Sequence, residues 1–462
     1  MLLNIVEIMI KIILIYYVLL VLGFTFLLIA SISPILRSFK EVAYGNVSAL
    51  VSTVFSPPIT VIMPIYNEDR RGFLLNSVSA ILGSNYKNLR LILVNDGSSD
   101  NTLKNLITNL ELYEVACAIK IKFPTKGKIR RCFLSKKYPN ITVIDKENGG
   151  AADANNIGIN ACLTPFYVTV DADTIIEPNT LTRMMFTYLS NKNCIVVGGA
   201  LFLLNENNVK NGRIDHPKIP VRFVSSMQVP EFLRSFLYGR AGWENLKGTL
   251  CYAGALTFFE TKKVVEVGGY ESGNPAYDVE LIVRLHARMR EKKEDYTMCF
   301  APNAYGWTEQ PSTFKQYWKQ RNIWQRGSMR SLFSHLYMLF NPKYGVIGLF
   351  TLPFYLLFEI FSGVVETTAY LIFFLAWYLK IPHFLESGLL FFLMAWGYLA
   401  FLTVACSLIN IITFDPYRRI LDTLHIICLT TIEMFGFRLF HSLCRAIATV
   451  QYYLGRMRGK KM

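Results

Sequence analysis

Two aspartates, Asp171 and Asp173, stand one residue apart in the segment DADT. They follow FYVTV (166–170), an apolar run that is typical of a buried strand. Two carboxylates at a strand end can approach one point, and their oxygen atoms suit Mg²⁺ or Mn²⁺, which commonly bridge to substrate phosphates. The same segment is also compatible with a capped turn, so by itself it predicts either a metal site or an ordinary loop.

Polar segments also follow three other apolar runs, each of which is predicted to be a strand. The runs are ITVIMPI (59–65), RLILVN (90–95) and ITVID (141–145). The polar segments are PIYNED (64–69), NDGSSD (95–100) and KENGGAADANN (146–156). Each could be only a turn or a helix cap. If the strands are parallel, however, all these segments lie at one edge of a sheet, where such folds bind ligands.

Short apolar strands alternate with helix-like segments such as 71–84, and a further strand is predicted at CIVVGG (194–199). This alternation predicts an α/β domain that has a mostly parallel, Rossmann-like sheet with helices on both faces. Residues 120–140 are basic and carry few structural signals, so we expect a surface insertion there.

Long apolar stretches stand on both sides of this domain. Residues 10–32 contain one charged residue, Lys11, and are long enough to span a bilayer. A secretory signal peptide is the alternative, but the apolar run is too long for one and no small-residue cleavage site follows. Further apolar stretches are 346–379, 384–413 and the shorter 420–437. We therefore expect an integral membrane protein with helical spans in the lipid bilayer.

The formal net charge of +15 indicates a basic cytoplasmic face more than nucleic-acid binding, because no recognisable nucleic-acid-binding module accompanies the basic clusters. If the middle domain is cytosolic, three spans place DPYRR (415–419) on its side of the membrane. Residues 420–455 then lie along the membrane face or cross it twice. Their Arg438, His441 and Arg445, mixed with aromatic residues, favour an amphipathic interfacial helix. The predicted parts are an N-terminal span and linker (1–45), a cytosolic α/β domain (46–335), and C-terminal membrane and interfacial helices (336–462).

The nine cysteines show no paired CxxC spacing. Those of the middle domain are scattered and mostly have apolar neighbours: Cys117, Cys132, Cys162, Cys194, Cys251 and Cys299. This distribution fits reduced core residues better than disulfides or zinc ligands, and so indicates a cytosolic domain at an inner or plasma membrane.

The order of the polar motifs resembles glycosyltransferase family 2, whose members are inverting nucleotide-sugar enzymes with a GT-A fold. More narrowly, it resembles the membrane-embedded synthases of that family, among them the poly-N-acetylglucosamine, hyaluronan and cellulose synthases. The resemblance extends over residues 57–330. It implies a UDP-sugar donor and a Mg²⁺ or Mn²⁺ ion held by Asp171 and Asp173, with Asp173 as the main ligand. By the same resemblance the nucleotide-sugar is bound by Tyr66, Asn67, Glu68, Asp96, Asn148, Gly149, Gly150, Asp153 and Asp171.

The resemblance also extends to later segments. CYAGALTFF (251–259) resembles a family segment near the acceptor, and GGY (268–270) precedes the acidic catalytic motif. That motif corresponds to AYDVEL (276–281), which implies that Asp278 is the general base; considered alone, Asp278 could be a helix-start acid stabilised by the helix dipole. QRNIWQRG (320–327) resembles the QxxRW motif. It implies that the acceptor and the diphosphate are contacted by Gln320, Arg321, Trp324 and Arg326.

Four positions depart from the family pattern, and each lacks a charge that the family has there: Asn95, Ala151, Tyr277 and Ile323. The family's lysine at Ala151 and its arginine at Ile323 would have offered cations to the diphosphate. Arg321 or Arg326 could replace that arginine. Trp324 could stack on a sugar, or be no more than a core or membrane-interface aromatic.

These observations predict an inverting membrane glycosyltransferase that moves N-acetylglucosamine or a related hexose from a UDP-sugar to a growing polysaccharide through a β-linkage, with or without export. Two alternatives stay open: transfer of a single sugar to a polyprenyl-phosphate lipid, and a weakly active or inactive relative that serves as a partner subunit. A transporter or receptor would explain the spans but would leave the acidic strand ends as a coincidence.

Overall fold

The computed structural model describes residues 2–43, 55–69, 72–381, 384–413, 416–417 and 419–457. The chain forms two compact units. The sheet unit comprises Leu36–Lys218 and Thr249–Gln310, and the helical unit comprises Met1–Ile35, Ile219–Gly248 and Pro311–Met462. The division into 1–45, 46–335 and 336–462 stays a prediction.

The sheet unit is built on a ten-stranded sheet with the strand order β3-β4-β5-β2-β1-β6-β11-β8-β12-β7. A small separate hairpin pairs β9 with β10. The strands are β1 (Ile59–Ile65), β2 (Leu89–Asp96), β3 (Leu112–Val115), β4 (Ile129–Ser135), β5 (Ile141–Lys146), β6 (Phe166–Val170), β7 (Thr174–Ile176), β8 (Cys194–Leu203), β9 (Val209–Lys210), β10 (Arg213–Ile214), β11 (Leu256–Glu260) and β12 (Thr297–Thr308). The predicted α/β class and the strands predicted at 59–65, 90–95, 141–145, 166–170 and 194–199 are confirmed.

Four neighbouring strands, β5, β2, β1 and β6, run parallel. Their register aligns the strand ends, because Ile65 lies opposite Asn95 and Asn95 lies opposite Asp145. The four polar segments that follow these strands therefore emerge at one edge of the sheet, as the sequence predicts.

Helices of the sheet unit connect and flank these strands. They are Leu74–Leu82, Thr102–Asn109, Ala151–Ala161, Thr180–Ser190, Thr261–Glu266 and Tyr277–Glu291. The last of them has acidic residues in its first turn and basic residues in its last turn, an arrangement that complements the helix dipole.

Two expectations for the sheet unit are wrong. Residues 120–140 are not wholly a surface insertion, because β4 pairs antiparallel with β5 and extends the sheet. Cys117 and Cys132 form a disulfide with a Cα–Cα separation of 5.3 Å. The cause is the β3–β4 pairing, which sets Val115 opposite Cys132 and so brings the nearby Cys117 within bonding reach. Cys162, Cys194, Cys251 and Cys299 are not disulfide-bonded in the described part of the chain, as predicted.

Apolar helices supply candidate membrane spans. By length and composition, Ile5–Lys40, Phe392–Ile411 and Ile420–Met457 could each cross a membrane. The helices Ile347–Ile360 and Ser362–Tyr378 meet at a 43° bend and could together form a fourth span. The stretches predicted at 10–32, 346–379 and 384–413 overlap these segments.

The helical unit also contains shorter helices and a long polar one. Its helices beyond the candidate spans include Phe223–Ser226, Gln228–Leu233, Arg234–Arg240, Ala241–Asn245 and Phe314–Phe333.

The helix Arg438–Met457 turns its polar side chains toward other helices. Arg438 pairs with Glu366, the His441 ring lies 2.7 Å from the Tyr317 hydroxyl, and Arg445 donates to Gln325 at 3.0 Å. Its exposed side chains include Leu443, Ile447, Val450 and Leu454. Whether the segment lies along a membrane face, as its composition favours, stays a prediction.

Candidate active site

A cavity of about 460 Å³ opens at the carboxyl ends of β1, β2, β5 and β6. Its lining residues are Pro64, Ile65, Tyr66, Glu68, Asp96, Asn148, Gly150, Ala151, Asp171, Ala172, Asp173 and Tyr277. Four of these are acidic, and none of the described lining residues is basic. A concave site lined by one sign of charge focuses its field, so a cation bound in this cavity would favour the entry of an anionic ligand.

Asp96 organises the floor of the cavity. Its Oδ1 accepts the Gly149 N–H at 2.9 Å, and its Oδ2 accepts the Gly150 N–H at 2.8 Å. The Lys146 ammonium donates to Oδ1, and the Asn148 amide donates to the Asp96 carbonyl at 2.9 Å. Gly150 has φ +90°, a conformation that only glycine adopts without strain. Asp96 therefore shapes the turn that follows β5 as well as facing the cavity.

The segment that follows β1 is held by the segment that follows β2. The Asn67 N–H donates to Ser98 Oγ at 3.0 Å, and Asn67 Oδ1 accepts the Ser99 N–H at 2.8 Å. The Glu68 N–H donates to Thr102 Oγ1 at 2.9 Å. Asn67 thus braces the loop and is not among the lining residues, whereas Tyr66, which is 51% exposed, does line the cavity.

Asp153 lies behind the cavity and not in its wall. Its side chain is fully buried and accepts the Lys126 N–H at 2.7 Å and the Gly127 N–H at 2.9 Å. Burial alone would raise the pKa of Asp153, but these two donors and the Lys146 ammonium hold that pKa below its usual range. A role in direct donor binding is therefore less well supported for Asp153 than for Asp96.

Asn95 is buried beneath the same edge and donates to Asp145 Oδ1 at 2.8 Å. The aspartate that the resembling family carries at this position would face the Asp145 carboxylate in a buried site. Asn95 instead offers an amide donor to Asp145, whose other carboxylate oxygen pairs with Arg131 at 3.1 Å.

Asp171 and Asp173 both line the cavity and are half-buried. The turn between them is closed by the Thr174 N–H, which donates to the Asp171 carbonyl at 3.0 Å. The Thr308 hydroxyl at the end of β12 donates to Asp173 Oδ1 at 3.2 Å. Thr308 was not assigned a role from the sequence, although it belongs to the segment GWTEQP between the recognised motifs.

The two carboxylates could hold a divalent cation only as part of a shared site. Among the residues that the structure describes, no group of three or more His, Cys, Asp or Glu side chains is placed to hold a metal. Mg²⁺ is commonly bound through one or two carboxylates, with waters and substrate phosphates as the remaining ligands. Asp171 and Asp173, in a cavity that has no described basic lining residue, fit this arrangement.

Tyr277 and Asp278 begin the helix Tyr277–Glu291. Tyr277 lines the cavity, and its ring meets the Tyr270 ring edge-on with centroids 5.3 Å apart. Burial raises the pKa of the Tyr277 phenol well above its usual value, and the nearby Asp171 and Asp278 carboxylates raise it further. The residue that replaces the family's acid is therefore a neutral phenol.

Asp278 is half-buried and is not among the residues that line the cavity. Its Oδ1 accepts the Val279 N–H at 2.9 Å, so it also acts as a helix-start acid. The neighbouring helix turn is anchored because Arg284 binds Glu280 at 2.7 Å and the Gly269 carbonyl at 2.7 Å.

The segment GGY (268–270) is fixed from a second side by Asn156. The Asn156 amide donates to the Tyr270 carbonyl at 2.8 Å, and Asn156 Oδ1 accepts the Tyr270 N–H at 2.8 Å. Asn156 ends the segment KENGGAADANN, but its pairing with Tyr270 could not be read from the sequence. It links the helix after β5 to the segment that leads to Asp278.

The residues of the QxxRW-like segment lie on the helix Phe314–Phe333 and belong to the helical unit. Arg321 is buried, pairs with Glu231 at 2.8 Å, and stacks against the Tyr317 and Trp324 rings at 4.6 and 4.5 Å. Trp324 is 41% exposed. The cation of Arg321 is thus already matched by a carboxylate, while the Trp324 ring retains an exposed part. Gln320 and Arg326 lie on the same helix.

Comparison with known proteins gives relatives for this arrangement. The chain is 23% identical to the poly-β-1,6-N-acetyl-D-glucosamine synthase of Staphylococcus aureus strain COL over 287 residues, which cover 62% of this chain and 58% of that protein. The same figures hold for the synthase of Staphylococcus epidermidis. The chain therefore matches less than two thirds of the length of these relatives.

Among solved structures, a mannosyltransferase from Pyrobaculum calidifontis in complex with GDP-Man and Mn²⁺ matches with a TM-score of 0.52 and 16% identity. The match covers 83% of this chain and 98% of that chain, and it supports the GT-A fold. Residues 57–327, more than half of the chain, match the family described as glycosyltransferase like family 2. The chain belongs to this family.

Proposed function

We propose that the protein is an inverting membrane glycosyltransferase that moves a sugar from a UDP-sugar to a growing polysaccharide. The observation that carries the proposal is the cavity at the carboxyl ends of four parallel strands, where Asp96, Asp171 and Asp173 converge with Tyr66. The relatives whose names include N-acetylglucosamine synthesis favour N-acetylglucosamine or a related hexose as the transferred sugar.

The donor would bind with its diphosphate toward the acidic wall. Tyr66 offers an exposed ring face for the base, and the turn that contains Asn148 and Gly150 forms the wall beside it. Asp171 and Asp173 would hold Mg²⁺ or Mn²⁺, with Thr308 orienting one Asp173 oxygen. When bound, such an ion would offset the charge that builds on the departing diphosphate.

Asp278 would act as the general base. The acceptor hydroxyl attacks the anomeric carbon of the donor sugar while its proton passes to an Asp278 oxygen. The new glycosidic C–O bond forms as the bond from the anomeric carbon to the diphosphate oxygen breaks, and UDP leaves. A single displacement inverts the anomeric centre, so an α-linked donor would give a β-linked product.

The acceptor would be a growing polysaccharide made at the cytosolic face of an inner or plasma membrane. The apolar helices of spanning length favour a membrane location. Gln320, Arg321, Trp324 and Arg326 are the proposed contacts to the acceptor and diphosphate. Transfer of one sugar to a polyprenyl phosphate is the alternative, because a membrane-bound acceptor would also explain the spans. A partner-subunit role remains the alternative for a chain that lacks the family charges at Ala151, Tyr277 and Ile323.

Product analysis tests the proposal. Full-length protein purified in detergent would be incubated with each of a panel of labelled UDP-sugars, with Mn²⁺ and with polysaccharide or polyprenyl-phosphate acceptors. The proposal expects a β-linked oligosaccharide or polymer from one sugar. A single-sugar lipid product would favour the alternative acceptor. The enzymatic role would be contradicted if the protein by itself forms no product and product appears only after co-expression of a second glycosyltransferase chain.

A further inference from the structure

A single buried cation holds two carboxylates, Asp96 in the cavity floor and Asp153 behind it. Lys146, the last residue of β5, has a side chain with 0% exposure. Its ammonium pairs with Asp96 Oδ1 and lies 3.0 Å from Asp153 Oδ2. Both carboxylates are themselves nearly or fully buried, at 4% and 0% exposure. Charges in such a place persist only when paired and hydrogen-bonded, so the three groups depend on one another.

The first of the two ion pairs of Lys146, with Asp96, connects it to the cavity. Asp96 lines it, and the same carboxylate accepts the N–H groups of Gly149 and Gly150. The position of the Lys146 ammonium thereby sets both an acidic lining group and the glycine turn beside it. Gly97 allows the segment after β2 to lie close to the turn at Asn148, since a Cβ on Gly97 would come 2.7 Å from the Asn148 backbone nitrogen.

The second ion pair of Lys146, with Asp153, connects it to the loop of residues 116–128, which we call the covering loop. Asp153 accepts the N–H groups of Lys126 and Gly127 from this loop. Gly127 rests directly on Lys146, because a Cβ on Gly127 would come 2.7 Å from the Lys146 Nζ. The covering loop therefore seals the buried cation from solvent.

Further contacts hold the covering loop in place. Asn160 Oδ1 accepts the Lys122 N–H at 2.9 Å, and the Asn160 amide donates to the Phe123 carbonyl at 3.0 Å. The Lys126 ammonium donates to the Ser272 carbonyl at 3.1 Å, in the segment that leads to Asp278. The loop thus contacts both the Asp153 side of the cavity and the approach to the candidate base.

We propose that Lys146 is a positioning residue for the donor nucleotide: through its ion pair with Asp96 it fixes the cavity floor, and through Asp153 it makes that floor depend on the covering loop. This inference rests on the proposed function, because it concerns how that site binds its donor. Lys146 would not touch the donor itself, since its side chain is sealed from the cavity by its own partners.

If Lys146 positions the donor site, loss of its ammonium should lower the affinity for the donor and leave the rate of the chemical step nearly unchanged. Asp171, Asp173 and Asp278 lie on other elements than Lys146, which ends β5. Lys146→Met would leave the buried Asp96 and Asp153 carboxylates with their backbone N–H donors but without the Lys146 counter-ion. We expect the Kd for UDP and the KM for the UDP-sugar to rise by about tenfold or more, as is typical for the loss of an orienting partner, with a much smaller change in kcat.

Three further variants make the test specific. Lys146→Arg keeps the cation and is expected to restore part of the donor affinity. Gly127→Ala leaves Lys146 intact, but its Cβ would come 2.3 Å from the Glu147 carbonyl oxygen and 2.7 Å from Lys146 Nζ, so the covering loop must move away from both, and a smaller rise in the UDP Kd is expected. Lys104→Met removes an exposed lysine from a helix of the same unit and serves as the control, with wild-type affinity.

The measurement is titration calorimetry of UDP, with Mn²⁺, into the full-length protein in detergent, alongside steady-state kinetics. Thermal unfolding reports whether each variant is folded. If wild-type protein neither binds UDP nor uses a UDP-sugar, the proposed function has failed. If wild-type protein binds UDP and folded Lys146→Met binds it as tightly as wild type, the positioning role is wrong. If Lys146→Met does not fold, the same result with Gly127→Ala shows that the role is wrong. Weaker UDP binding by these variants but not by Lys104→Met supports it.

Discussion

Gly254 lies directly against Asp278: a Cβ built on Gly254 would come 3.2 Å from Asp278 Oδ2. The segment that contains Gly254 resembles a family segment near the acceptor. The open space that glycine leaves thus borders the carboxylate that is proposed to take the acceptor proton. An acceptor hydroxyl would have to come within hydrogen-bond reach of this proposed base, and the lack of a Cβ at Gly254 would leave that approach clear on one side.

Asp278→Asn removes the base while retaining the shape of the side chain. The amide can still accept the Val279 N–H, so the start of the helix is preserved. We expect sugar transfer to fall by about 10²–10⁴-fold, the usual contribution of a general base, with UDP affinity unchanged. Steady-state kinetics and UDP titration provide the check, and near-normal turnover in the variant would exclude Asp278 as the base.

Gly254→Val tests the space beside the base. The added methyl groups would crowd Asp278 Oδ2, so we expect kcat/KM for the acceptor to fall by about tenfold or more while UDP binding is retained. Gly254→Ala is the matched control, because its single methyl requires a shift of only a few tenths of an ångström. A smaller defect for alanine than for valine is expected; equal activity in both variants and wild type would show that the acceptor does not approach there.

Asp173→Ala is expected to raise the Mn²⁺ concentration needed for half-maximal activity, and Thr308→Val should do so less strongly. The first change removes the proposed ligand, and the second removes only the hydroxyl that orients it at 3.2 Å. Titration of activity with Mn²⁺ gives both values. An unchanged metal requirement in Asp173→Ala would place the ion elsewhere.

Tyr277→Glu would restore a carboxylate where the family has one. The new charge would lie within electrostatic reach of Asp171 and Asp278, and like charges raise one another's pKa. The acidic limb of the kcat/KM profile is therefore expected to move to higher pH. Tyr277→Phe removes only the hydroxyl and should leave that limb in place, because the wild-type phenol is already neutral. A profile in Tyr277→Glu that coincides with wild type would show that residue 277 is not coupled to the base.

His286 predicts an acid-sensitive sheet unit. Its Nδ1 lies 2.7 Å from the Tyr296 hydroxyl, its Nε2 lies 2.9 Å from the Thr249 carbonyl, and burial lowers its pKa from 6.5 to about 4. Because the folded pKa is below the unfolded one, the unfolded chain binds more protons between these values, and stability is lost as the pH falls from about 6.5 toward 4. The loss amounts to up to about 3 kcal/mol. His286→Gln should show a flatter dependence of Tm on pH over this window; an equally steep one would assign the acid sensitivity to other groups.

The polar strand ends could be predicted because the alternation of apolar and polar runs can be read locally in the sequence. A parallel sheet then brings the carboxyl ends of its strands to one edge, whatever the order of the strands. Asp171, Asp173 and Asp96 follow from that rule. The placement of Asp153 does not follow from that rule. A motif does not tell which residues at the start of a helix face the cavity and which face a neighbouring loop, as Asp153 does. The Cys117–Cys132 disulfide depended on the β3–β4 register, which no local pattern reveals.

Contacts between distant segments were likewise beyond the sequence. Neither the bracing of Asp173 by Thr308 nor the pairing of Asn156 with Tyr270 could be inferred, since each joins elements more than a hundred residues apart. The motif at 276–281 gave Asp278 a role, but the placement of Tyr277 in the cavity wall required the fold.

The acidic cavity is proposed to catalyse metal-dependent sugar transfer. The most direct test is release of UDP from each of the common UDP-sugars by full-length protein in detergent, with and without Mn²⁺, in parallel with Asp278→Asn. We expect Mn²⁺-dependent release of UDP from at least one UDP-sugar by the wild-type protein, and loss of this release in the variant. Release from none of them by the wild-type protein, or equal release by Asp278→Asn, would contradict it.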